Sequence, residues 1–261
     1  MAKLCPLFSG SDANSTYIAA NSGGILIDAG CSFAALKKAL KEKEIDMSSI
    51  RALFVTHGHS DHVKGIKTLL KRINIPVYGS AATLEYLERN GVFHQNAIVN
   101  SIEGGVEAAN MLINFFPTSH DAEGSGGYTI TLPDASKISV CTDLGIVTDT
   151  VHNAIIGSRA VLLEANHDLN MLKKGPYPPE LKLRIMSDRG HLSNINAAAE
   201  AKELLSGGTT NFVLGHLSKH NNTPELALGA VSAALLDLGA RQGKDYLLRA
   251  ADPKDNEVIY L

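Results

Sequence analysis

The sequence predicts a layered α/β or α+β fold, and three observations carry that prediction. Short apolar, β-rich runs alternate with stretches of helical periodicity along the chain. Two β-rich regions, 127–143 and 249–261, carry the turn chemistry of hairpins. The 261 residues, 44% of them hydrophobic, suffice for a sizeable core in one domain spanning 1–261.

Taken in order, "GGILIDAG" (23–30) reads as a buried strand running into a polar end, and "FAALKKALKEKE" (33–44) as a helix with Phe33, Leu36 and Leu40 on one face. "RALFVTHGH" (51–59) is a second strand. "HVKGIKTLLKRI" (62–73) then repeats Val63, Ile66, Leu69, Leu70 and Ile73 at the spacing of one helix. "IPVYGS" (75–80) and "MLINFFPTSH" (111–120) are further strands, and "GYTITLPDASKISVCTD" (127–143) is a hairpin turning at Pro133–Ser136. Strands return in "RAVLLEANHD" (159–168) and "TNFVLGHLS" (210–218). "NINAAAEAKELLS" (194–206) and "TPELALGAVSAALLDLG" (223–239) are helices, the latter entered through Thr223-Pro224. The three prolines of "NMLKKGPYPPELKLRI" (170–185) suggest a long ordered excursion over the surface, and "RAADPKDNEVIYL" at the C-terminus another hairpin. No internal repeat or low-complexity segment interrupts the pattern.

Composition excludes several function classes. A net charge of −3 carries no global basic signal, so nucleic-acid binding would rest on a local patch. No apolar run approaches the roughly 20 residues of a membrane span. "MAKLCPLFSGSDANS" lacks the apolar core of a secretory signal. Cys5, Cys31 and Cys141 are odd in number and far apart, which fits buried reduced thiols rather than a disulfide framework. The expected location is the cytoplasm, away from membranes.

The chemistry lies at the strand ends, where Asp28, His57, His59, Asp61, His120, Asp143, Glu164, His167 and His216 all fall. In "THGHSDHVKG" (56–65), His57, His59, Asp61 and His62 crowd into six positions. Imidazole and carboxylate are the usual ligands of zinc and similar divalent ions. Past a strand end at Thr56, alternate residues point the same way, so His57 and His59 can clamp one ion. Asp61 and His62, at the start of a helix, then address a second space. A polar turn capping that helix would need one such residue, not four.

"HGHSDH" is similar to the His-x-His-x-Asp-His signature of the metallo-β-lactamase superfamily, whose fold is an αβ/βα sandwich. The accompanying features follow in order: Asp28-Ala29-Gly30, His120 in "TSHD", Asp143 in "CTDLG" and His216 in "LGHLS". The resemblance implies one ion on His57, His59 and His120, a second on Asp61, His62 and His216, and Asp143 bridging them. Asp28 is then structural, bonding the loops of the site. His94, His152 and His220 fall outside every motif. Two cations about 3.5–4 Å apart lower the pKa of a bridging water toward neutrality, and the resulting hydroxide hydrolyses a bond the motif does not name.

The blocks "SGSDANSTYI", "LLEANHDLNML", "GPYPPELKLRI", "GHLSNINAAA" and "LGHLSKHNNTPELAL" resemble those of the YycJ (WalJ) type within this superfamily, over essentially the whole chain. That likeness implies a metal-dependent phosphodiesterase or exonuclease using zinc or manganese, with DNA ahead of RNA as substrate. A looser likeness to tRNase Z implies a Glu164–His191 pair beside the metals, protonating the leaving oxygen, with Asp61 also in the catalytic set. Alternatively, His191 caps the helix that starts near Ser193-Asn194. Asn166 and His167, with Asp168, contact the substrate phosphate or merely order the excursion. The excursion is basic (Lys173, Lys174, Lys182, Arg184 and Arg189 against Glu180 and Asp188), which makes Lys182 and Arg184 candidate phosphate contacts. Lys64, Lys67, Lys71 and Arg72 form a second basic run, equally explained by a solvated helix face. Ser9, Gly10 and Ser11 could offer backbone N–H groups to a phosphate. The length leaves no room for the inserted domain of RNase J-type nucleases, and no long tRNA-clamping arm is evident.

Two rival readings remain at this level. The same metals would serve a small-molecule hydrolase, a lactonase or glyoxalase-like thioesterase, if the site were a closed apolar pocket. A non-catalytic binding module would keep the fold without needing the full ligand set.

Overall fold

Four layers stack as helix, sheet, sheet and helix in the computed structural model, which describes residues 1–21, 23–253 and 256–261. The first sheet gathers β1 (Lys3–Phe8), β2 (Ser15–Ala20), β3 (Gly23–Ile27), β4 (Ile50–Phe54), β5 (Val77–Gly79), β6 (Val99–Ser101) and β14 (Ile259–Tyr260) in the order β14-β1-β2-β3-β4-β5-β6. The second gathers β7 (Val106–Ala108), β8 (Met111–Pro117), β9 (Gly126–Thr131), β10 (Lys137–Cys141), β11 (Ala160–Glu164), β12 (Asn211–Gly215) and β13 (Leu247–Ala250), in the order β13-β12-β11-β10-β9-β8-β7. β3 to β6 run parallel, as do β10 to β13.

The central strands are apolar on both faces because both are covered. Ile25, Ile27, Ala52 and Phe54 face Ile130, Ile138, Leu162 and Val213 in the core between the sheets. The alternate residues Leu26, Leu53 and Val55 turn outward onto the first helical layer, with Leu36 and Leu40 of α1 (Phe33–Glu42) and Leu84 and Leu87 of α4 (Ala81–Arg89). On the other side, Val161, Leu163, Phe212 and Leu214 pack against α5 (Asp149–Ile155), α8 (Asn194–Ser206) and α9 (Pro224–Asp237). This is the αβ/βα sandwich that the resemblance implies. Cys5, Cys31 and Cys141 are free and buried. No helix among the described residues is long and apolar enough to cross a membrane.

Three expectations need correction. The 62–73 helix is broken into α2 (Ser60–Val63) and α3 (Ile66–Leu70). The Asp61 carbonyl accepts from Asn14 N at 2.7 Å and the His62 carbonyl from Ala29 N at 2.9 Å, while Gly65 N–H donates to Ala29 O at 2.8 Å. Hydrogen bonds that would continue the helix are thus diverted to staple it onto neighbouring loops. The proline-rich excursion contains two helices, α6 (Leu169–Lys174) and α7 (Pro179–Met186), with Pro179 in the first turn where its missing N–H costs nothing. The C-terminal hairpin does not form: β13 pairs with β12 in one sheet and β14 with β1 in the other, on either side of Lys254 and Asp255, which lie outside the described residues.

Candidate metal centre

The two sheets deliver their strand ends to one place. Asp28 follows β3, Thr56 to His62 follow β4, Asp143 follows β10, Glu164 ends β11 and His216 follows β12, while His120 arrives on the turn after β8. Asp28, Asp143 and His216 take left-handed backbone conformations, with φ of 61°, 59° and 54°. Each costs a non-glycine residue roughly 1–2 kcal/mol. Local bonds hold them: Asp28 N donates to Phe54 O at 2.8 Å, and His216 N to Ser9 Oγ at 2.9 Å.

All seven residues of the proposed ligand set converge. The ligating atoms of His57, His59 and His120 lie within 4.8 Å of one another, as do those of Asp61, His62 and His216. Asp143 closes with His57 and His62 on one side and with His216 on the other. Its Oδ2 is 3.3 Å from His62 Nε2, and its Oδ1 is 3.6 Å from His216 Nε2.

These residues fit divalent metal. Three imidazoles point one nitrogen into the cluster and satisfy the other outside it: His62 Nδ1 on Asp28 Oδ2 at 2.8 Å, His120 Nδ1 on Gly190 O at 3.0 Å, and His216 Nδ1 on Glu164 Oε1 at 2.8 Å. Such partners fix ring orientation and tautomer in metal sites. His57 Nε2, His216 Nε2 and Asp143 Oδ2 are buried without a hydrogen bond. Leaving such groups without a partner costs about 1–3 kcal/mol each, and cations bound in the cluster would satisfy all three.

The electrostatics agree. Burial works against the charge of Asp143 and Asp61, yet the surrounding imidazoles outweigh it and hold both carboxyls well below their usual range. Burial also opposes a proton on His62, but Asp143 and Asp28 raise it to about 10, and His216 is lifted likewise by Asp143 and Asp61. His57 goes the other way, lowered by burial and by His62 beside it. The carboxylates thus make a buried anionic nest suited to cations. Asp28 anchors it structurally, as its place in the sequence suggests: its two oxygens also accept Thr56 N and Thr56 Oγ1, each at 2.8 Å.

Beside the cluster stands His191, its Nδ1 2.9 Å from Glu164 Oε1 and 3.8 Å from Asp143 Oδ1. Its ring centre is 5.1 Å from that of His120 and 5.2 Å from that of His216. The fully buried Glu164 also accepts Leu144 N and Leu192 N on Oε2, each at 3.0 Å, and opposing burial with the His191 and His216 charges brings it down to about 2. The cap of α8 is Ser193, whose Oγ accepts Asn196 N at 3.2 Å.

The remaining candidates are placed differently. Buried Asn166 gives its amide to His216 O at 2.9 Å. His167 is buried with Nδ1 unbonded, and burial lowers it to about 4, so its ring is neutral at pH 7. Lys182 donates to Lys173 O at 2.8 Å, on its own surface. Arg184 forks onto Asp121, which lies 3.5 Å from His120 Nε2, and so reaches the metal face. Arg189 adds a contact to His120 O at 3.4 Å. The Gly10 N–H is taken by Asn14 Oδ1 at 3.1 Å.

Sequence reasoning missed two neighbours of the cluster. Asn14 Nδ2 lies 3.2 Å from Asp61 Oδ2 and 3.0 Å from His62 Nε2. Its signal was the polar run "SGSDAN", whose last residue is buried. Asp121 directly follows His120, and that adjacency was the available clue.

Comparison with known proteins places the chain in a family. The β-lactamase superfamily domain model matches residues 24–216. Exodeoxyribonuclease YycJ of Bacillus anthracis is 33% identical over 250 residues, covering 95% of this chain and 94% of its own length. The metallo-β-lactamase fold protein YhfI from Bacillus subtilis superposes with a TM-score of 0.73 at 17% identity, covering 99% of this chain and 98% of its own. The short form of human tRNase Z does so with 0.67 at 17%, covering 100% and 99%. Fold and site together define a metal-dependent hydrolase. The chain belongs to the β-lactamase superfamily and, within it, to the family of YycJ.

Proposed function

We propose that the protein is a phosphodiesterase, an exonuclease that shortens DNA with two divalent cations, zinc or manganese, in the cytoplasm. The observation that carries this reading is the Glu164–His191 pair: a half-buried imidazole outside the seven ligands, held at Nδ1 by a buried carboxylate and adjoining both halves of the cluster. His57, His59 and His120 would hold one cation, Asp61, His62 and His216 the other, and Asp143 would touch both. When bound, such ions make water nucleophilic at neutral pH and offset charge in the transition state.

The chain's own residues supply the rest. Phosphodiester cleavage expels an alkoxide, a poor leaving group, and a positioned acid is worth 10²–10⁴-fold there. Glu164 fixes the His191 ring through Nδ1, leaving Nε2 as the nitrogen that passes a proton to the departing oxygen. Arg184 and Arg189, at the rim, offer cations to the phosphate backbone. The space beside His59, about 250 Å³, has the charged residues Asp121 and Glu123 in its walls as well as Tyr86, which a purely apolar pocket would lack. The complete ligand set argues against a purely binding role. A relative that covers nearly the whole chain bears the name exodeoxyribonuclease.

End-labelled single- and double-stranded DNA and RNA, incubated with and without Mn²⁺ or Zn²⁺ and resolved by length, test the proposal. Stepwise shortening of DNA only with metal is expected. Failure to cut any nucleic acid with metal bound would overturn it, and preference for RNA would overturn its substrate.

A further inference from the structure

Where the chain holds a nucleotide beside the metals is written in a part of the structure that the metal motif does not explain. Tyr86 on α4 is 38% exposed, and its hydroxyl makes no hydrogen bond among the described residues. One edge of its ring, Cδ1 and Cε1, lies against Gly58, between the candidate ligands His57 and His59: a Cβ at Gly58 would meet that edge at 2.4 Å. The ring also lines the space of about 250 Å³ whose other walls are Gly58, His59, Asp121, Ala122 and Glu123. A half-exposed aromatic side chain therefore lines a cavity that has a candidate metal ligand as one wall.

That arrangement is held in place. Loop 121–124, which follows His120, is tied to the start of α4: Ser80 Oγ donates to Gly124 O at 2.7 Å, and Thr83 Oγ1 to Glu123 O at 3.0 Å. One turn beyond Tyr86, Arg89 pairs with Glu123 at 2.8 Å, and Arg184 pairs with Asp121. Both carboxylates at the mouth are thus met by guanidinium groups, so an incoming phosphate does not face unopposed negative charge. The ring, the side-chain-free Gly58 at its edge and the flanking arginines suit a planar group attached to phosphate.

We infer that this cavity is a nucleobase subsite, in which the base of the nucleotide at the cleaved end stacks on Tyr86 while its phosphate lies at the metal cluster. The inference rests on the phosphodiesterase reading above. Base–aromatic stacking tolerates any base, because every base has a π-face, so the subsite grips DNA ends without reading sequence.

The test compares kcat/KM on DNA with a normal terminal nucleotide and on the same DNA with an abasic residue there, placed at whichever end the products show is cut. Wild-type protein should favour the base-bearing end by roughly tenfold to a hundredfold, the range that stacking supplies. Tyr86→Phe keeps the ring and should keep that ratio. Tyr86→Leu still covers Gly58 but offers no flat π-face, and its ratio should fall to near one. A Tyr86→Leu ratio equal to wild type, or a wild-type ratio near one, overturns the subsite and leaves the nuclease reading standing. Metal-loaded protein that turns over an activated phosphodiester but cuts no nucleic acid overturns both.

Discussion

Glu164 takes four hydrogen bonds on two oxygens, from the His191 and His216 rings and from the backbone of Leu144 and Leu192. An amide at this position has one oxygen to accept with and would set N–H groups against N–H groups. Glu164→Gln should therefore weaken metal binding about 10–100-fold, the usual effect of losing a carboxylate behind a ligand histidine, as read by competition with a chromophoric chelator. His191→Ala should behave differently. Metal content should stay intact, and DNA cleavage should fall by roughly 10²–10⁴-fold. An activated ester such as bis(p-nitrophenyl) phosphate scarcely needs protonation, so its loss should be much smaller. Equal losses on both substrates would assign His191 to positioning alone.

At the level of elements, glycine at two loops lets backbone approach backbone behind the ligands. A Cβ on Gly30 would lie 1.5 Å from Asp61 O, and one on Gly65 2.1 Å from Cys31 O. Gly30→Ala must push the ligand turn away, and should cost at least 1–3 kcal/mol, the range of overpacking, together with metal retention. Denaturant unfolding and metal analysis would check this, and unchanged stability would mean that the turn yields freely. The same contacts explain what the sequence left illegible. The periodicity of Val63, Ile66 and Leu69 was real, but the break at Gly65 comes from hydrogen bonds to Ala29 and Asn14, far away in the chain. β1 carries Pro6, which weakens its strand signal, and β14 finds its partner across the whole length of the protein. Buried strands such as β4 and β11 announced themselves because their residues are apolar apart from Arg51 in the first and the terminal Glu164 in the second. The seven clustered residues were legible for a related reason: their type and density have few structural uses. Asn14 and Tyr86 are ordinary types whose meaning arises only from contacts.

For the molecule as a whole, a net charge of −3 means that any hold on nucleic acid is local. Arg184 reaches the metal face through Asp121, whereas Lys182 is engaged by Lys173 O. Arg184→Ala should lower the slope of log K against log salt by about 0.7–0.9, the worth of one phosphate contact, while Lys182→Ala should leave it nearly unchanged. Binding titrations at several salt concentrations distinguish the two. The sandwich brings the ends of two parallel strand sets together, so that the candidate ligands from Asp61 to His216 share one cluster. The central claim is that this cluster is the hydrolytic centre, and a stepwise titration of metal-free protein with Mn²⁺ or Zn²⁺, following both bound metal and phosphodiester turnover, tests it most directly. The account predicts that binding and activity rise together and saturate at two ions per chain; full turnover without metal, or two bound ions with no turnover of any phosphodiester, would contradict it.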